Sequence, residues 1–204
     1  MPSPNSTLEG IVLNSVETGE SHIILSIFSK KNGLSKVLLR TRKSVRFNSP
    51  PDFFDDVELV LNLPKDGIGL PFVKDFKVLN KRSELATSHK KFKTASSIAR
   101  LFLDNGADLQ FVDPFFKLLQ ISLKFLELGH QPNCIFLKTL FQFGRLEGLA
   151  VKESWLISLS DKRRRLTKHI LGTKLEDLEI SEEILPELIQ SLRNWLNNET
   201  ELRC

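Results

Sequence analysis

His22-Ile23-Ile24-Leu25-Ser26-Ile27-Phe28-Ser29-Lys30-Lys31-Asn32-Gly33-Leu34-Ser35-Lys36-Val37-Leu38-Leu39-Arg40 reads as two strands folded back on each other. Branched and aromatic side chains fill His22–Phe28, and Leu34–Arg40 resumes the pattern after a short polar break. Within that break, the Asn32-Gly33 pair suits the positive backbone angles of a hairpin turn. Working outward, Leu8 to Val16 is a further strand, closed by Glu17-Thr18-Gly19-Glu20. On the other side Val57, Leu59, Leu61 and Leu63 alternate with Glu58, Val60 and Asn62, which gives a strand with one buried face. It stops at the turn Pro64-Lys65-Asp66-Gly67, and Leu70 to Leu79 follows, alternating as Leu70, Phe72, Lys74, Phe76, Val78. Five short strands with no helical period among them predict a five-stranded Greek-key barrel of the OB type; an SH3-like barrel is the nearest alternative.

From about Thr87 the period becomes helical. Ala95, Ile98, Ala99, Phe102 and Leu103 recur at three and four, the spacing of one helix face. Asp113-Pro114 reads as a cap and a first-turn proline for a helix running to Gly129. Pro132 opens a third helix ending at Gly148, and Ser160-Asp161 is placed to cap a basic one. The last helix starts at Ser181 with its acids or, on the strength of Pro186, near that proline. The expected class is therefore α+β: an N-terminal barrel over 1–80 and a helical domain over 81–204, with the boundary near Asn80–Ser88.

The chain of 204 residues is 41% hydrophobic and 26% charged, the balance of an ordinary globular protein. No apolar run approaches the length of a membrane span, and the polar start lacks the pattern of a secretory signal. Cys134 and Cys204 are too few for a disulfide framework, which favours a reduced cytoplasmic setting. The formal net charge of +4 is modest, but it is clustered. Between Lys30 and Arg46 stand Lys30, Lys31, Lys36, Arg40, Arg42, Lys43 and Arg46, with no acidic residue. Such groups displace condensed counterions from phosphates. Phe47, with Phe53 or Phe54, offers stacking surface for unpaired bases. These cations and Phe47 are the candidate nucleic-acid site; the bland alternative is a solvated basic face with core phenylalanines. A second basic run, Lys162-Arg163-Arg164-Arg165 with Lys168, can bind phosphate, pair with the acidic C-terminal helix, or stay solvated.

Catalytic motifs are missing. His22, His89, His130 and His169 have no second ligand at metal spacing, Gly67-Ile68-Gly69 precedes a strand and not a helix, and no nucleophile elbow occurs. Asp52, Asp55, Asp56 and Glu58 do not follow a calcium-loop spacing. The reading is a non-enzyme without a cofactor.

The order of features resembles RecO, the bacterial recombination mediator. The family's first strand is similar to Gly10-Ile11-Val12-Leu13, its Gly-Glu pair to Gly19-Glu20, its second strand end to Ile27-Phe28-Ser29, its glycine turn to Gly33, and its basic Lys-Ser end to Arg42-Lys43-Ser44. Leu137-Lys138 to Gly148-Leu149-Ala150 resembles the helix that in many members leads into a zinc-binding cysteine cluster. Here the basic segment is compressed, and Val151-Lys152-Glu153-Ser154-Trp155 follows without cysteines, so the resemblance is to a zinc-less variant. It implies a cytoplasmic, nucleoid-associated bacterial protein of DNA repair and recombination. It also implies binding of single- and double-stranded DNA, strand annealing, and loading of recombinase onto gaps coated by single-strand-binding protein. The implied partners are RecR and the acidic, apolar tail of single-strand-binding protein, for which Arg100, Phe115, Phe116, Lys117 and Leu119 are the candidate receptor. A protein-interaction adaptor and an RNA-binding OB-fold protein remain the alternatives.

Overall fold

The alternation of apolar residues in the first eighty positions closes that part of the chain on itself. The structure, a computed structural model, describes residues 5–41, 49–64, 67–181 and 183–204. Five strands, β1 (Asn5–Thr18), β2 (His22–Ser29), β3 (Gly33–Arg40), β4 (Asp56–Asn62) and β5 (Phe72–Asn80), form a closed barrel in the order β1-β2-β3-β5-β4. β1 also pairs with β4, and β3 meets β5 in parallel through Leu38 and Phe72. A meander would set β4 beside β3. The swap of β4 and β5 is the OB arrangement and decides against the SH3-like alternative.

β1 is longer than its apolar run because it serves two partners. Its register shifts between Val12 and Asn14, a bulge that bends the strand. Asn5 to Ile11 then pair with β4, and Gly10 to Thr18 with β2. Gly10 sits where the strands come closest: a Cβ there would lie 2.6 Å from the Phe28 carbonyl oxygen and 2.6 Å from Ile27 Cγ2. Leu8, Val12, Ile23, Leu25, Ile27, Val37, Leu39, Val57, Leu59 and Leu61 fill the interior, with Val73, Phe76 and Val78 of β5 packed against them. Each such aliphatic side chain stabilises the fold by about 1.5–3 kcal/mol on burial.

The segment entering β4 carries a strained point. Phe54 has a φ of 70°, unusual for a residue with a side chain, and it is buried. Three backbone contacts hold it there. Its N–H donates to the Val12 carbonyl at 2.8 Å, Val12 N–H donates to the Asp55 carbonyl at 3.0 Å, and Arg82 Nη1 donates to the Phe54 carbonyl at 2.7 Å. Arg82, only 5% exposed, also pairs with Asp56 at 2.9 Å. Asp55 Oδ2 accepts the Asp52 N–H at 2.9 Å, while burial pushes its carboxyl above the usual carboxylate range. Asp55 and Asp56 of the acidic cluster are thus engaged in holding this turn.

Six helices follow among the described residues: α1 (His89–Asn105), α2 (Val112–Glu127), α3 (Pro132–Leu146), α4 (Trp155–Ser158), α5 (Asp161–Gly172) and α6 (Leu185–Glu199). The chain divides into two units, one of Met1–Ser83 with Gly106–Phe116, the other of Glu84–Asn105 with Lys117–Cys204. In the first, the hairpin glycine Gly33, with φ +64°, stands where a Cβ would lie 3.3 Å from the Gly106 carbonyl oxygen. In the second, α3 is the central element and packs against α1 and α6. Phe102 and Phe143 meet edge to face at 5.2 Å, and the Ser122 and Thr139 hydroxyls share a buried hydrogen bond of 2.7 Å.

Helix starts differ in detail from expectation. α2 begins at Val112, so Asp113 lies inside its first turn, where the carboxylate pairs with Lys30 at 3.2 Å. Ser160 does occupy the N-cap position of α5, but its side chain makes no capping hydrogen bond. α6 begins beside Pro186 and not at Ser181, as the proline's fixed φ requires. α4 has no counterpart in the periodicity: one turn is too short to show a period. Its Trp155 is buried and donates from Nε1 to Ser191 Oγ at 3.1 Å.

Candidate nucleic-acid interface

Because side chains alternate along a strand, the residues between the barrel-core positions of β2 and β3 must face outward. The hydrogen-bond register lines them up in rows. Val16 pairs with Ile24, Ile24 with Leu38, and Leu38 with Phe72, an apolar row crossing β1, β2, β3 and β5. Three strand spacings make it about 14 Å long. It is open to solvent: Val16 is 51% and Phe72 44% exposed. On one side runs the row Asn14–Ser26–Lys36, and on the other Thr18–His22–Arg40. Lys36 and Arg40 are both exposed, and four residues along a strand set their Cα atoms about 13 Å apart. Among the described residues neither has an acidic partner.

Local contacts hold the platform in place. The His22 ring stands edge-on to Phe72 at 6.1 Å with an interplanar angle of 80°, and Ser21 Oγ lies 3.3 Å from His22 Nδ1. Leu38 N–H donates to the Pro71 carbonyl at 2.9 Å, and Thr41 N–H to the Ser21 carbonyl at 2.8 Å. The β1–β2 and β4–β5 loops are thereby tied to β3, at the strand-2/3 face and loop pair with which OB barrels bind oligonucleotides. In the β4–β5 loop Ile68 is 84% exposed. Two cations flanking an accessible aromatic and aliphatic strip can hold phosphates while bases lie on the strip.

Not every sequence-derived candidate joins this face. Lys30 and Lys31 lie at the opposite end of β3 from Arg40, about 23 Å away along the strand. There Lys30 is paired with Asp113, and both lysines line a cavity of about 240 Å³ that also contains Glu9 and Phe116. Arg42, Lys43, Arg46 and Phe47 lie outside the described residues. Phe54 is 2% exposed and cannot stack on a base, whereas Phe53 is at the surface. Of the residues chosen for partner binding, Phe115 and Leu119 turn inward at 3% and 0% exposure and offer no groove surface. Phe116 is buried and lines the Lys30 cavity, Arg100 pairs with Asp104 on its own helix, and Lys117 is exposed. Val16, His22, Leu38 and Phe72 escape a reading by segments, since they come together only through register.

Comparison with known proteins agrees with the barrel. Residues 1–82 match the family model described as Recombination protein O N terminal. No curated protein matches the chain. No described helix is long and apolar enough to cross a membrane. The strand order of the barrel accords with this similarity to the RecO N-terminal family over residues 1–82.

Proposed function

We propose that this chain binds single- and double-stranded DNA through the outer face of β2, β3 and β5, and promotes the pairing of complementary strands in DNA repair and recombination. The observation that carries the reading is the apolar row Val16–Ile24–Leu38–Phe72 flanked by Lys36 and Arg40. The family of the N-terminal domain supports the biological setting. Annealing calls for no catalytic side chain. A cationic surface lowers the repulsion between two phosphate backbones, and a stacking strip holds bases unpaired until a complement arrives.

The partners in this reading are RecR and the acidic, apolar tail of single-strand-binding protein, with loading of recombinase onto the coated strand as the outcome. For that tail the second unit offers a groove of about 270 Å³. Its wall includes Ile121, 52% exposed, and Phe125, and Arg145 provides positive charge. Lys138 also lines it but donates to the Thr173 carbonyl at 2.6 Å.

The test is fluorescence anisotropy with single-stranded DNA, duplex DNA and RNA of one sequence, followed by strand annealing with and without single-strand-binding protein. Salt-sensitive DNA binding and faster annealing of coated strands are expected. Binding that ignores salt, or none at all, would instead favour a protein-interaction adaptor, and a clear preference for RNA would favour an RNA-binding barrel.

A further inference from the structure

The N-terminal halves of α1, α3 and α6 line one cavity of about 410 Å³, wholly within the second unit. Lys90 and Lys93 come from α1, Asn133 and Phe136 from α3, and Gln190 and Arg193 from α6. Both lysines are exposed. None of the described residues lining the cavity is acidic. Among the described residues, neither Lys93 nor Arg193 forms an ion pair. The Arg193 guanidinium lies over the Phe136 ring, 4.8 Å from its centroid, which fixes its plane. Its Nε is buried and has no hydrogen-bond partner among the described residues.

We propose that this cavity binds a phosphoryl group, at a site separate from the barrel face. Clustered cations with no lining carboxylate create a directed positive field, and such a concave setting focuses it on an anion. The Thr94 hydroxyl and the Asn133 amide add neutral donors along the wall. The N-cap position of α3, Gln131, supplies no side-chain cap, and of the first-turn residues of α3 and α6 that line the cavity Asn133 carries a backbone N–H while Pro132 and Pro186 carry none. A phosphate, with several acceptor oxygens pointing in different directions, matches donors arriving from three helices better than a planar carboxylate does. The phosphoryl group can belong to a small phosphorylated molecule or to a nucleic-acid strand; the pocket chemistry is shared.

The experiment titrates the full chain by calorimetry with inorganic pyrophosphate and, separately, with a single-stranded oligonucleotide. Wild-type protein is compared with Lys93→Glu and with the barrel variant Lys36→Glu/Arg40→Glu. Lys93 is exposed, so its replacement leaves the fold intact, and a thermal melt verifies that. The expected result is pyrophosphate binding that falls about tenfold or more in Lys93→Glu and is unchanged in the barrel variant. If oligonucleotide affinity also falls in Lys93→Glu, a strand phosphate is the ligand; if only pyrophosphate is affected, it is a small molecule. Either supports the site. Absence of pyrophosphate binding, equal binding by wild type and Lys93→Glu, or equally tight binding of a tri-aspartate peptide overturns it. Because the barrel variant is scored in parallel, failure here is distinct from failure of the DNA-binding face.

Discussion

Lys36 and Arg40 on β3 and Arg163 and Arg164 on α5 are cations in opposite circumstances. On α5, Arg163 reaches Glu187 at 2.7 Å, and Arg164 donates to the Ile157 and Leu159 carbonyls at 2.6 and 2.9 Å. These side chains are engaged with α6 and with the turn leading out of α4. On β3, Lys36 faces Ser26 and Arg40 faces His22 across the β2 register, and no acid of the described residues pairs with either charge. Arg82 marks a third circumstance, buried and bound to Asp56 and the Phe54 carbonyl. The positive charge is common to all three. What stands opposite it decides whether it locks the fold, trims the surface, or stays available for phosphate.

That contrast can be broken in order of effect. Replacing Arg82 by Met removes the cation paired with Asp56 Oδ1 and the donor to the Phe54 carbonyl, and about 3 kcal/mol of stability should be lost. Urea denaturation measures it; a loss below about 1 kcal/mol would mean that Phe54 is held by its neighbours alone. Phe72→Ala should weaken single-stranded DNA binding by about 1–3 kcal/mol while leaving its salt dependence as it was. Anisotropy titrations at several salt concentrations check this, and a changed slope with unchanged affinity would contradict the stacking role. Arg163→Ala removes only an exposed pair, so stability should shift by less than about 1 kcal/mol and DNA affinity not at all. A clear loss of affinity would move α5 into the binding surface.

The smallest effect belongs to an acid. Burial raises the Asp55 pKa, against the Asp52 N–H bond and the charge of Lys81, so the folded state holds this proton more tightly than the unfolded chain. Its contribution to stability therefore falls as pH rises from its unfolded titration range through its folded one. Asp55→Asn should flatten the pH dependence of stability over that acidic window, read from denaturation at successive pH values. An identical slope in the variant would show that another group sets it.

The barrel was legible because β4 alternates cleanly and the Asn32-Gly33 pair marks a turn. Of the two only Gly33 adopts a positive φ, and the connection is the three-residue loop 30–32 between the paired Ser29 and Gly33. The face built on it was not. Val16 belongs to the same apolar run as Val12, yet the bulge after Val12 turns the strand, so Val12 fills the core while Val16 joins the outer row. In the sequence Phe72 is one more alternating residue; its place in the outer row depends on the parallel bridge to Leu38, which no local pattern encodes. Lys30 and Lys31 looked continuous with Arg40 along the chain, but a strand of that length carries the two ends to opposite rims. The inward turn of Phe115 and Leu119 follows from helix phase, which marks an apolar face without saying whether it is core or groove.

The most direct test of the account is the salt dependence of single-stranded DNA binding for wild type against Lys36→Ala/Arg40→Ala. Arg163→Ala/Arg164→Ala serves as the control. Each lost phosphate contact on a single strand lowers the slope of log K against log salt by about 0.7, so the barrel variant should lose about 1.4 and the control nothing. An unchanged slope in the barrel variant, or an equal loss in the control, would contradict the assignment of the β3 face as the DNA-binding surface.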